Sequence, residues 1–88
     1  MIYKELVINN LDGLKAKAAA NFVQAANRFD SQILIEFSNK KINAKSIMGL
    51  LSLGVKYGEF IYVFANGPDE KEAMAALEEL VANNFGAE

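Results

Sequence analysis

The chain has 88 residues, 52% of them hydrophobic, a formal net charge of −2, and neither cysteine nor histidine, which suits one compact domain with a single modest core. Without thiols or imidazoles there is no disulfide framework, no thiolate or imidazole metal site, no imidazole acid–base catalysis and no phosphohistidine. The expectation is a cytoplasmic protein without metal or cofactor that is not an enzyme.

The scattered lysines give no basic field for direct nucleic-acid binding. No apolar run approaches the roughly 18 residues of a membrane span, and "MIYKELVINN" has no basic segment followed by a long apolar one, so neither export nor insertion is expected.

Residues 2 to 9 alternate, with Leu6 and Ile8 on one face and Tyr3, Glu5 and Val7 on the other, as in a strand whose Leu6 side faces the core. From about Lys15 to Phe29, Ala16, Ala19, Ala20, Phe22, Val23 and Ala26 recur at helical spacing. The alanines fit either close approach to the sheet or simple helix propensity. "QILIEF" and "KKINA" flank the polar turn "SNK", predicting a hairpin of Gln32–Phe37 and Lys41–Ala44. "SIMGLLSLG" predicts a two-turn helix capped by Ser46 and ended by Gly54. Glu59–Asn66 reads as a fourth strand, and a last helix to about Asn84 buries Met74, Leu77, Leu80 and Val81 behind a capping-box spacing of Asp69 and Glu72. The order is βαββαβα, an α+β domain with helices on one side of an antiparallel sheet.

Two stretches carry a resemblance. "NAKSIMGLLSLGV", Asn43–Val55, matches the regulatory segment of the HPr family nearly residue for residue, and "GLKAKAAANFVQAANRF" aligns with its first turn and helix. These are the small phosphocarrier proteins of the bacterial sugar phosphotransferase system, and the chain is similar to them over essentially its full length. The resemblance implies an open-faced βαββαβα sandwich, a four-stranded antiparallel sheet with three helices on one face, in a single domain of residues 1–88.

Carriers in that family have "GLHARPAA" where this chain has "GLKAKAAA". Lys15 replaces the phosphoryl-accepting histidine, Lys17 the supporting arginine and Ala18 a proline. An ammonium near neutrality has no lone pair with which to take the phosphoryl group, so phosphate relay through position 15 should fail. Beside a helix N-terminus two cations also oppose the helix dipole, at roughly 0.3–1 kcal/mol each. Two readings of the lysines stay open: a cationic spot for an acidic or phosphorylated partner, or solvated substitutions left after carrier activity ceased to matter.

Ser46 taken alone is an ordinary N-cap. The resemblance makes it the phosphorylation site, because the matching serine in HPr of low-GC Gram-positive bacteria is phosphorylated from ATP by HPr kinase/phosphorylase. Taken alone, Ile47, Met48 and Leu51 would read as core. The resemblance makes them the patch that meets the kinase and the transcriptional regulator, leaving Leu50 and Leu53 for the core. A lost histidine with a retained serine resembles the catabolite-repression HPr-like proteins, although that subgroup has glutamine at the position of Lys15. Such proteins are corepressors: the seryl-phosphorylated form binds catabolite control protein A, a LacI-type repressor. The implied contact surface adds Lys15, Lys17, Ala20, Val23 and Gln24.

In the fourth strand, Ile61, Val63 and Ala65 suit the helix-covered face, which turns Phe60, Tyr62 and Phe64 to the open one, with Tyr3, Val7 and Leu34. That face is a candidate homodimer or partner surface, unless long neighbouring side chains cover the rings. Two rival functions remain: a phosphoryl-transfer participant of the phosphotransferase system using some other residue, and a binding module of the HPr fold with a different partner.

Overall fold

The computed structural model describes residues 1–86. Its elements are β1 (Ile2–Val7), α1 (Ala16–Ala26), β2 (Gln32–Phe37), β3 (Lys40–Asn43), α2 (Ile47–Leu53), β4 (Phe60–Asn66) and α3 (Glu70–Ala82), followed by a 3-10 turn at Asn84–Gly86. The hairpin partner is one residue earlier than the sequence suggests. Ser38 and Asn39, with φ of 53° and 67°, make a tight turn by themselves, so Lys40 already pairs with Phe37. Helix α1 is shorter than expected at its C-terminal end. There the Asn27 side chain donates to the Val23 carbonyl at 3.0 Å, and the Arg28 and Phe29 amides bond only three residues back, to Ala25 and Ala26 at 3.2 Å each.

The strand order is β1-β4-β2-β3 and every pair is antiparallel. Each β-α-β connection therefore steps over one strand of the other, β1–α1–β2 over β4 and β3–α2–β4 over β2, which interlocks the two halves of the chain. Period-two alternation sends Ile33, Ile35, Ile61, Val63 and Ala65 to one face, where all are fully buried. Helix α3 packs on β1 and β4, α1 packs on α2 and α3, and α2 packs on β3.

The buried stripe of α1 is Ala18, Ala19, Phe22, Ala25 and Ala26. Ala16, expected on that stripe, is exposed in the first turn, and Leu14 supplies the buried side chain there instead. Phe85 was not legible as core. It lies just beyond α3 with no exposure, its ring 6.2 Å from that of Phe22, while Asn21 Nδ2 donates to its carbonyl at 2.6 Å.

The capping box expected at α3 does not form. Asp69 occupies the N-cap position, but its side chain makes no cap bond. It accepts from the Asp30 amide at 2.9 Å, the Ser31 amide at 2.9 Å and the Ser31 hydroxyl at 2.5 Å. Ser31 is fully buried, so its two donors require a partner, and three charge-assisted bonds outweigh a single cap. Gly67 allows the approach: a side chain on it would lie 2.7 Å from the Ser31 Cα. Glu70 accepts from the Gly67 amide at 3.1 Å and tightens the same loop.

The Ser31 hydroxyl first, then the Asp30 amide, hold the Asp69 carboxyl below its ordinary value, and the Gly67 amide does the same for Glu70. A carboxyl depressed in the folded state stabilises the fold above its unfolded pKa and loses that contribution as pH falls through the folded value. Asp69→Asn is expected to lower the melting temperature at pH 7. The gap from the parent should narrow below about pH 4, as measured by circular dichroism melts across that range.

Candidate functional site

The site is built on the α1–α2 pair. Asn43 opens its second half: its Oδ1 accepts from the Lys45 amide at 2.8 Å and its carbonyl from the Ser46 amide at 3.1 Å. This turn delivers Ser46 in extended conformation, φ −113° and ψ 114°, to the N-cap of α2, where its Oγ accepts from the Gly49 amide at 3.2 Å. A Cβ at Gly49 would make only ordinary contact with Ser46 Oγ and with the Ile42 side chain, each at 3.5 Å. Gly54 ends the helix in the left-handed conformation. Both helix signals predicted from the sequence are therefore present.

Leu50 and Leu53 are buried under α2, whereas Met48 is 75%, Leu51 41% and Ile47 39% exposed. Full burial of one such side chain is worth about 1.5–3 kcal/mol. Three of them on one side of a seven-residue helix form an exposed apolar patch.

Lys15 is the N-cap residue of α1, extended at φ −106° and ψ −169°, with no side-chain cap and no acidic residue in the first turn. Lys15, Lys17 and Gln24 are exposed, while Ala20 and Val23 are half-buried. The turn before them is fixed by backbone contacts. Asn10 Nδ2 donates to the Gly13 carbonyl at 2.6 Å and the Leu14 amide donates to the Val55 carbonyl at 3.0 Å. Gly13 has φ 68°, and a side chain on it would lie 2.5 Å from the same Val55 oxygen. The start of α1 thus meets the end of α2. Leu14, next to Lys15, bonds Val55 just beyond the C-terminal end of α2, whereas Ser46 caps its N-terminal end.

Sequence reasoning passed over Lys45. Its side chain is half-buried and donates to the Phe29 carbonyl at 2.7 Å, tying the residue before Ser46 to the segment after α1. A lysine beside a serine carries no local signal for such a bond, which depends on a carbonyl 16 residues away. Among the described residues no group of three or more histidine, cysteine, aspartate or glutamate side chains could hold a metal ion, and no helix is long and apolar enough to cross a membrane.

The family described as "PTS HPr component phosphorylation site" matches residues 2–83. The chain belongs to the HPr family. The HPr-like protein Crh of Halalkalibacterium halodurans is 52% identical over 77 residues, spanning 88% of this chain and 92% of the relative. The crystal structure of HPr-C-His from Thermoanaerobacter tengcongensis superposes with a TM-score of 0.95 at 50% identity, covering 100% of this chain and 99% of that one. Crh of Bacillus subtilis, whose crystal structure is described as a dimer with a swapped domain, superposes with a TM-score of 0.76 at 44% identity, over 96% and 97% of the two chains. The open-faced sandwich of four antiparallel strands and three helices is thus the HPr fold. HPr and HPr-like relatives are phosphocarriers or regulatory proteins, and this chain is likewise not an enzyme.

Two substitutions separate the roles within the first turn. Lys15→Ser supplies the missing cap of α1 and should stabilise the fold by about 1 kcal/mol. Gly13→Ala forces a side chain against Val55 at positive φ and should destabilise it by about 2 kcal/mol or more. Urea denaturation of both variants measures each shift.

Proposed function

We propose that this HPr-family chain is a regulatory protein of carbon catabolite repression, switched by phosphorylation of Ser46. HPr kinase/phosphorylase transfers the γ-phosphoryl group of ATP to Ser46 Oγ, and the seryl-phosphorylated form is a corepressor of catabolite control protein A, the LacI-type repressor. The observation that carries the reading is the pairing of Ser46, whose hydroxyl caps α2, with the exposed Ile47, Met48 and Leu51 immediately after it. The kinase needs an accessible hydroxyl, the repressor the phosphate then carried there, and both gain from an apolar anchor beside it.

The chemistry of the modified state supports the same reading. Phosphoserine carries a charge of about −1.5 to −2. Its oxygens accept from the amides that the hydroxyl already faces, so the modification adds charge without dismantling α2. The repressor reads that charge with arginine or lysine and the apolar patch by burial. Lys15, Lys17, Ala20, Val23 and Gln24 extend the contact along α1. Lys15 takes no phosphoryl group, so histidine carrier activity is absent from this function. The relatives named as catabolite-repression HPr-like proteins lend the reading its context.

Incubation with HPr kinase/phosphorylase and ATP, followed by mass spectrometric mapping, should place one phosphate on Ser46 and none on Ser46→Ala. Absence of phosphate while a histidine-containing HPr is modified in parallel would sink the proposal. Met48→Asp should leave the fold intact and weaken binding of the phosphorylated protein to the repressor about tenfold or more, as measured by calorimetry.

A further inference from the structure

The start of β4 borders a cavity of about 520 Å³ that the strand registers create. The β2 ladder on β4 ends where Glu36 pairs with Tyr62, because Ser38 and Asn39, both at positive φ, turn the chain away into β3. On its other side β4 stays paired with β1 as far as Phe60, which meets Val7. The first residues of β4 are thus flanked on one side only, and the gap opens beside the rings of the bare sheet face. Those rings are not covered: Phe60 is 47% and Tyr62 37% exposed. They meet edge-on, 5.8 Å apart with planes at 89°, and so form two walls at a right angle.

Carboxylates stand at both ends of this aromatic corner. Glu59 precedes Phe60 and Glu36 lies across from Tyr62, so the lining runs acid, ring, ring, acid. Strand spacing sets the two acidic residues roughly 11 Å apart at the backbone. Among the described residues no lysine or arginine lines the cavity. Lys41 is paired with Glu36 across β3, but its Nζ is held 4.6 Å from the centre of the Phe64 ring. The half-buried Glu36 carboxylate makes no hydrogen bond or ion pair among the described residues. Glu59 Oε1 accepts from the Lys56 amide at 2.8 Å, which fixes that side chain and leaves Oε2 without a partner among the described residues.

This order selects a cation of one kind. A hard metal ion needs several oxygens converging on one point, and two carboxylates separated by a pair of rings do not converge. Ring faces attract ammonium groups and also accept methylenes, while a carboxylate takes a charge-assisted hydrogen bond from an ammonium. A chain with a cation at each end and methylenes between them reproduces the sequence of the lining. We propose that the cavity binds a small aliphatic diammonium ion, one ammonium on Glu36, the other on Glu59, with the methylenes across the Phe60 and Tyr62 rings. Ser38 and Asn39 at the rim offer further oxygen acceptors to the ammonium on Glu36. The cavity belongs to the sheet and its hairpin, whereas Ser46 caps a helix on the other side.

Backbone amide shifts recorded by NMR during addition of 1,5-diaminopentane, with ionic strength held constant by sodium chloride, test this. The expected result is a saturable set of shifts confined to Ser38, Asn39, Glu59, Phe60, Tyr62 and their neighbours. n-Butylamine, with one charge, should bind about fivefold more weakly, and Glu36→Gln and Glu59→Gln should each weaken the diamine by about the same factor. Tyr62→Leu should weaken it about threefold, with circular dichroism confirming an unchanged fold in each variant. The proposal is overturned by shifts that do not saturate, or that spread to the exposed acids of α3 as for a loose counterion. Equal binding of n-butylamine overturns it too, as does a diamine affinity that neither glutamine substitution changes.

Discussion

Ile33, Ile35, Ile61, Val63 and Ala65 lie on three alternate positions of β4 and two of β2, all on the same face and all fully buried. That one-sided burial governs the rest of the molecule. It fixes the strand registers, because a slip of one residue would turn this whole apolar set toward water. It places the helices on that side alone. It also consigns every intervening residue of the same strands to an open face, where aromatic rings must order themselves without a covering layer. The exposed faces of α1 and α2 follow from the same constraint, since helices confined to one side can present both outward together.

The strength of the sequence signal tracked how local its cause was. Ser46 and Gly54 bracket α2 with residues whose roles are set within a few positions, and both act as expected. The alternation in β4 sorted its two faces correctly because a strand has a strict period of two. The alanines of α1 said little about orientation or boundaries, for alanine favours helix on every side, so Ala16 was misplaced and Ala18 and Ala25 were missed. Asp69 misled for a different reason. Its spacing to Glu72 satisfied a local rule, while the bonds it makes go to Ser31, 38 residues earlier in the chain. No local pattern encodes that partner, nor the burial of Phe85 against Phe22.

The candidate site divides along the same line. Ser46 was legible as the cap of α2 from its local spacing, and the exposure of Ile47, Met48 and Leu51 was legible only through the resemblance, since apolar periodicity alone would have buried them. The lysines at 15 and 17 stand at an uncapped helix start with no acidic residue in its first turn, an unfavourable place for two cations. Their presence is a cost in local stability, of the kind a surface carries when it is shaped by what it meets or when the former chemistry no longer constrains it.

The contact of Gly13 with the Val55 carbonyl gives the altered turn its significance. Within one short loop, the exposed cations and the residues that hold the backbone are different ones. Positions 15 and 17 reach into solvent, whereas Gly13 and Leu14 brace the far end of α2 through a single oxygen. The side chains at 15 and 17 and the scaffold around Ser46 are therefore separable, because neither lysine side chain makes a hydrogen bond or an ion pair among the described residues.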